Sequence, residues 1–364
     1  MHHREQEFAP QRTQRTQRRE RKKATHSNVP QGWLNLLFGN TFFWIFSALS
    51  APSTGCCGKS LLVRKQEKLL EMRRAKNGRV LISAHRGAKG YAPENTMAAF
   101  QRANELKADI IEFDVHLSRD NRCVVIHDET LERTSNGSGL VRAHSWAELH
   151  QLDVGSWFDT LNDSLRTERE LNGVRPPRGW IGTEYVALPI PAGRFAGTKM
   201  PLLEEVLEWG KAVGMALSVE IKSPWPFYYG ADFYPGLVEQ LVELIERHGD
   251  PQKVMLHSFD HRACLRVKEL NPELGTAISI GGALYVDLPG LLRVARAEGV
   301  AIGSNYVYPE LLEEIHAANG YLFGWGLGED PINEAAGLCQ LVKWGVDFVS
   351  GGFPDLLRQV VENC

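Results

Sequence analysis

From residue 79 onward the chain alternates short apolar runs with amphipathic stretches, and Gly or Pro punctuates most of the junctions. Strand-like runs fall at 80–84, 109–115, 216–221, 254–259, 275–280, 301–305, 321–325 and 348–350. Helix-like stretches lie at 95–106, 202–212, 237–248, 262–270, 288–298, 309–319 and 333–344, and 355–362 closes the series. Eight strands, each followed by a helix, predict an α/β fold of the (β/α)8 TIM-barrel type, whose chemistry sits at the C-terminal ends of its strands. A doubly wound open sheet shares the alternation, but no G-x-G-x-x-G follows the first strand. A short extra strand is expected at 123–126. The stretch 145–200 is too long for an ordinary connection and reads as an insertion loop after the second-strand region.

Chemistry concentrates where such a fold would use it. His85 and Arg86 end the first strand. Glu112 and Asp114 end the second, on one face at a period of two. His127 and Asp128 follow an apolar run, and Glu220 and Lys222 end the third strand with the same spacing. Three carboxylates at one barrel mouth repel one another unless a hard divalent cation lies between them, and an oxygen donor set without cysteine suits Ca2+ or Mg2+. Imidazoles titrate near neutral pH and suit proton transfer, while Arg86 and Lys222 supply positive charge for a phosphate. Metal, acid, base and cations together describe phosphodiester cleavage. Each group alone has a structural reading, and it is their coincidence on three strand ends that favours a site. Asp128 is read as orienting His127 or its loop, Glu94, Asn95 and Thr96 as a helix start, and Asn136 to Gly139 as a tight turn. His116 is expected to point away from Glu112 and Asp114, and His257 to be structural.

The segment before the barrel is of another kind. The formal net charge of the 364 residues is -3, but the first 30 hold eight Lys and Arg against three Glu in a tract nearly free of apolar residues. Residues 1–32 therefore read as a disordered basic tail; nucleic-acid binding, which needs basic residues on a folded face, is not expected. The run WLNLLFGNTFFWIFSALSA at 33–51 has roughly the length of a membrane span. A secretory signal and a hydrophobic helix packed on the domain are the competing readings. Membrane association through 33–51 is the expectation, with Cys56 and Cys57 as candidate palmitoylation sites and 59–78 as a linker helix. The remaining chain, 79–364, is one catalytic domain. Cys123, Cys264 and Cys339 lie in apolar segments and read as buried hydrophobes, and six cysteines in a chain of this size form no disulfide framework.

An ordered series of motifs resembles the glycerophosphodiester phosphodiesterase family. It comprises HRG at 85–87, PENT at 93–96, IEFDV at 111–115, HDETLERTSNGSG at 127–139, LDVGSWF at 152–158, KMPLLEEVL at 199–207, VEIK at 219–222 and HSFD at 257–260. The resemblance implies a TIM barrel with Glu112, Asp114 and Glu220 as metal ligands, His85 and His127 as the general acid/base pair, and Arg86 and Lys222 on the phosphate. The chain departs from the family pattern at three places. Lys107 stands where the family has Gly, a surface change. Gly351 and Gly352 replace Thr-Asp before Phe353-Pro354, and the Asn that follows the seventh-strand Trp325 is missing. Head-group selection is thus expected from the insertion and from these two strand ends, with Trp325 a candidate pocket residue.

Three functions follow. The first is metal-dependent hydrolysis of glycerophosphodiesters to sn-glycerol 3-phosphate and an alcohol. The second is lysophospholipase D action on a lysophospholipid, suggested by the apolar run and by Trp157, Phe158, Trp180, Trp225, Phe227, Tyr228 and Tyr229. The third, a catalytically silent membrane-tethered binding protein, leaves the seven polar residues without a use. A membrane-associated or exported location is expected.

Overall fold

A computed structural model of the chain describes residues 78–160, 194–223, 236–281, 285–328 and 334–364. The basic tail, the apolar run with Cys56 and Cys57, the linker helix up to residue 77, the middle of the insertion with Trp180, and the aromatic residues 225–229 lie outside the described residues.

Among the described residues there are nine strands: β1 (Leu81–His85), β2 (Ile110–Leu117), β3 (Cys123–Val125), β4 (Ala216–Ile221), β5 (Val254–Ser258), β6 (Gly275–Ile280), β7 (Gly299–Gly303), β8 (Tyr321–Trp325) and β9 (Phe348–Gly351). Eight of them run parallel round a closed barrel, from β1 through β2 and β4 to β9 and back to β1. β3 is the exception; it pairs antiparallel with the end of β2, Val115 opposite Val125 and Leu117 opposite Cys123. The helices are α1 (Met97–Glu105), α2 (Trp146–Leu149), α3 (Leu203–Val213), α4 (Leu237–His248), α5 (His261–Leu270), α6 (Leu288–Ala295), α7 (Pro309–Ala317), α8 (Ala335–Trp344) and α9 (Pro354–Glu362). The expected (β/α)8 barrel is the fold observed.

All eight residues of β2 are buried, as a parallel strand covered on both faces requires. Ile111, Phe113 and Val115 face the helix layer, against Phe100 and Ala103 of α1 and Leu203 and Val206 of α3. Ile110 faces inward, where it meets Leu81, Met255, Ala301, Phe323 and Phe348. Burying side chains of this size contributes about 1.5–3 kcal/mol each, so this plug fixes the strands from within. Above it, toward the C-terminal ends, Glu112 and Asp114 continue the inward face of β2.

Local chemistry sets the element ends. α1 begins at Met97 rather than 95 because Asn95 has φ 57, a left-handed conformation that no helix continues. Thr96 is the N-cap, its hydroxyl accepting from the Ala99 N–H. β7 begins and ends two residues earlier than expected, and it opens on Gly299, where a Cβ would stand 2.1 Å from the Tyr321 ring. Lys107 follows α1 with φ 62, a position where glycine is favoured over any L-residue.

One expectation about cysteine is corrected. Cys339 is not a free buried hydrophobe: it is bonded to Cys364, with the Cα atoms 5.0 Å apart. α8 packs against α9, which carries the C-terminal residue back to Cys339 although 25 positions separate the two. Cys123 and Cys264 are free and buried, as expected.

Candidate active site

Strand register assembles the acidic groups. His85 lies opposite Glu112 across β1 and β2, Asp114 opposite Glu220 across β2 and β4, and Glu220 opposite His257 across β4 and β5. Alternation does the rest, turning these side chains inward at the upper end of the barrel. Each of Glu112, Asp114 and Glu220 offers an oxygen within 4.8 Å of the other two, and all three residues are buried. Oxygen donors at this spacing fit a hard divalent cation.

The cations expected beside them are there. Lys222 Nζ lies 2.6 Å from Glu220 Oε1 and 2.9 Å from Asp114 Oδ1. Arg86, at φ 54, donates its backbone N–H to Glu112 Oε2 at 3.0 Å and Nη1 to Glu94 Oε1 at 3.0 Å, and its Nε stands 3.5 Å from Asp114 Oδ2. Burial opposes ionisation of Asp114, but Lys222, His127 and Arg86, with a hydrogen bond from Asn95, hold its pKa well below the usual carboxylate range. Burial likewise pulls the Lys222 pKa down, and Asp114 and Glu220 more than compensate, raising it.

The histidines flank this cluster. His85 Nε2 is 3.9 Å from Glu112 Oε2. His127 Nδ1 is 2.6 Å from Asp128 Oδ1; a carboxylate accepts, so Nδ1 carries the proton and Nε2 is the atom left for proton exchange. Asp128 orients His127 as the sequence suggested. Both imidazoles keep about a quarter of their side-chain surface, 24% for His85 and 26% for His127, so substrate and solvent can reach them.

Several groups stand elsewhere than the sequence reading placed them. His116 does not point away from the acidic pair: it shares the parity of Glu112 and Asp114, it is buried, and its Nε2–H donates to the His127 carbonyl at 3.0 Å. Burial lowers its pKa to about 4, so it is a neutral prop for the His127 backbone. His257, read as structural, stands against the acidic cluster. Its Nε2 lies 3.6 Å from Glu112 Oε1, and its Nδ1 is 3.0 Å from the Ser279 hydroxyl. Strand parity could have found it, since Met255 two residues earlier is an inward residue.

Glu94 and Asn95 do more than start a helix. Asn95 Nδ2 donates to Asp114 Oδ2 at 2.8 Å, and its Oδ1 accepts from the Asp114 N–H at 3.2 Å. Glu94 accepts from Arg86 and from Arg133, a residue the sequence reading passed over. Burial opposes ionisation of Glu94, and those two guanidinium groups hold its pKa well below the usual value.

The far side of the mouth is aromatic and small. Trp325 ends β8, where it was expected to line the pocket, and its ring packs edge-on against exposed Phe259 with centroids 6.2 Å apart. A Cβ on Gly351 would stand 2.0 Å from the Gly328 carbonyl oxygen, so the two altered strand ends approach through bare backbone. Of the loop aromatics, Phe158 is buried against Phe195 with centroids 5.6 Å apart, which is packing rather than pocket.

Residues 85–356 match the model of the glycerophosphoryl diester phosphodiesterase family. A glycerophosphodiester phosphodiesterase of Bacillus subtilis is 32% identical over 292 residues, covering 78% of this chain and 86% of that protein. Another from Caldanaerobacter subterraneus is 31% identical over 287 residues, covering 78% and 99%. A similar solved structure is an Agrobacterium tumefaciens glycerophosphodiester phosphodiesterase, at TM-score 0.57 and 26% identity over 77% of this chain and 99% of that one. The fold is shared by an Oleispira antarctica phosphodiesterase in complex with the product sn-glycerol-3-phosphate, at TM-score 0.62, 24% identity and coverage of 79% and 99%.

Proposed function

Because the chain belongs to the glycerophosphoryl diester phosphodiesterase family, a family of enzymes, we propose that it hydrolyses a glycerophosphodiester to sn-glycerol 3-phosphate and an alcohol with a divalent cation and a histidine pair. The observation that carries this reading is the buried triad of Glu112, Asp114 and Glu220, oxygens within 4.8 Å of one another, beside His85 and Arg86.

These three residues would hold Ca2+ or Mg2+, which supplies charge neutralisation to a phosphodiester when bound. Arg86 is placed to hold a phosphate oxygen with its guanidinium, which Glu94 Oε1 and Asp114 Oδ2 orient. Lys222 pairs with Asp114 and Glu220 and offers its remaining donor capacity to the same phosphate. His85 and His127 divide the two proton transfers: one takes the proton of the attacking oxygen, from water or from a neighbouring substrate hydroxyl, as its bond to phosphorus forms, and the other gives a proton to the leaving alcohol as its bond to phosphorus breaks; where a substrate hydroxyl attacks, water then opens the cyclic phosphate with the two transfers reversed. Asp128 stabilises the imidazolium form of His127 in whichever of the two steps it is charged.

The test is turnover of glycerophosphocholine by the purified chain, with released choline and glycerol 3-phosphate measured in Ca2+, in Mg2+ and in excess EDTA after dialysis. Activity is expected with a cation and not with EDTA. Full activity in EDTA removes the proposal, and hydrolysis by His127→Ala at the wild-type rate removes the histidine roles. Lysophosphatidylcholine in parallel tests the second reading, lysophospholipase D action, which the exposed Phe259 beside Trp325 favours as an apolar wall.

We also propose that residues 33–51 associate with a membrane and that the barrel lies on its oxidising side. The Cys339–Cys364 bond supports that side, since disulfides persist outside reducing compartments. Among the described residues no helix is long and apolar enough to cross a membrane. If 33–51 is the anchor, removing residues 1–58 should release the enzyme from the membrane fraction; unchanged partitioning rules the idea out.

A further inference from the structure

Arg133 lies six positions after His127 and makes four hydrogen bonds with its guanidinium, two to each of two carboxylates. Its Nε donates to Asp128 Oδ2 at 2.6 Å and its Nη2 to Asp128 Oδ1 at 2.9 Å. Its Nη1 donates to Glu94 Oε2 at 3.0 Å and the same Nη2 to Glu94 Oε1 at 2.8 Å. The oxygens touched by Nη2 are not arbitrary. Glu94 Oε1 is the atom that accepts from Arg86, and Asp128 Oδ1 is the atom beside His127 Nδ1.

We propose that Arg133 is a positioning residue for the phosphodiesterase reaction, setting the place of the phosphate-binding Arg86 through Glu94 and that of the proton-transferring His127 through Asp128. The inference rests on the proposed roles of Arg86 and His127 and adds the link between them.

Geometry supports this beyond a general stabilising role. Arg86 follows β1, Glu94 lies in the loop before α1, and Asp128 and Arg133 lie in the loop after β3, so no single element fixes the separation of the two reacting groups. A guanidinium is a planar fork whose two edges each match a carboxylate, and Arg133 uses both edges at once. That plane fixes the carboxylates of Glu94 and Asp128 relative to one another. Lysine, a point donor on a flexible stem, could neutralise both acids but could not hold them in one plane. The Glu94 side chain retains 1% of its exposure and the Arg133 side chain 21%, so water competes little for these bonds. Two acids, Glu94 and Asp128, and two guanidinium groups, Arg86 and Arg133, also balance in charge.

The test is a double-mutant cycle on the full chain, with glycerophosphocholine as substrate, using Arg133→Met, His127→Ala and the pair. Arg133→Met should lower kcat by about 10- to 100-fold, the scale on which outer-shell partners act, and raise KM through the Arg86 arm. In the His127→Ala background the same substitution should lower kcat less than about 3-fold, since the group it positions is gone. An equal kcat loss in both backgrounds overturns the proposal, because a merely structural role acts regardless of His127. Arg133→Lys should keep the thermal midpoint near wild type yet recover less than about a tenth of kcat, as a point charge cannot replace the fork; full recovery also overturns it. If Arg133→Met fails to fold, Asp128→Asn reads the His127 arm alone: kcat should fall with KM unchanged, and wild-type kcat overturns the link. A wild-type protein without turnover, or His127→Ala at full rate, would instead mark failure of the underlying functional reading.

Discussion

Lys222 Nζ stands 2.9 Å from Asp114 Oδ1, closing an ion pair between β2 and the end of β4 beneath the position where a phosphate would lie. The same ammonium is 2.6 Å from Glu220 Oε1, so one cation serves two of the three carboxylates. Lys222→Met should therefore destabilise the cation-free protein by about 3–5 kcal/mol, the loss on breaking a buried pair. Added Ca2+ or Mg2+ should restore much of the thermal midpoint, and thermal unfolding with and without the cation checks this. A cation-independent midpoint in the variant would contradict the shared role.

Either His85→Ala or His127→Ala should lower kcat on the order of 10²–10⁴-fold, the usual range for removing a general acid or base. His116→Gln should act more mildly, because His116 acts on His127 through the backbone carbonyl rather than through the ring. Steady-state kinetics on glycerophosphocholine distinguishes the two scales.

Acid should unfold the domain through Glu94 and Asp128. Both carboxyls titrate below their ordinary values. Burial resists their ionisation, while Arg86 and Arg133 around Glu94, and His127 and Arg133 around Asp128, outweigh it. With folded pKa values depressed, the stability they contribute is complete above the unfolded values, roughly pH 4 to 4.5. It is lost as pH falls below that point and through the folded pKa values. Thermal midpoints between pH 5 and pH 3 should drop in wild type and drop less in Glu94→Gln.

The barrel and most of the site were legible in the sequence for a physical reason. Strand alternation and strand-end placement are local, and parity alone puts Glu112 with Asp114 and Glu220 with Lys222. Parity applied consistently would also have placed His116 and His257. Glu94, Asn95 and Arg133 were hidden because their partners are set by loops: Asn95 reaches Asp114 only from a left-handed backbone, and Arg133 meets Glu94 across 39 positions. The Cys339–Cys364 bond was hidden likewise, since it depends on how α8 and α9 pack.

Lys107→Gly should stabilise the domain by about 1 kcal/mol, because a side chain at φ 62 costs about that much and glycine does not. The Lys107 carbonyl, which accepts from Arg358 Nη2 at 2.5 Å, is unchanged by the substitution. A rise in thermal midpoint with unaltered kcat is the expected result.

Cys364→Ser should lower stability by about 2–4 kcal/mol, the usual contribution of one disulfide. Catalysis at 25 °C should survive, as the bond ties α8 to α9 on the outside of the barrel. Denaturant titration of oxidised, reduced and Cys364→Ser protein measures it.

The insertion leaves and rejoins the domain at one narrow neck. The Val154 N–H donates to the Thr198 carbonyl at 2.9 Å, the Phe195 N–H to Asp159 Oδ2 at 3.0 Å, and Gly155 packs so closely on the Phe195 carbonyl that a Cβ would lie 1.8 Å from it. Closure entropy grows only slowly with loop length once the ends are tied. A change of chain length between residues 160 and 194 therefore costs the barrel little closure entropy, and His85, His127 and the three carboxylates stay in register.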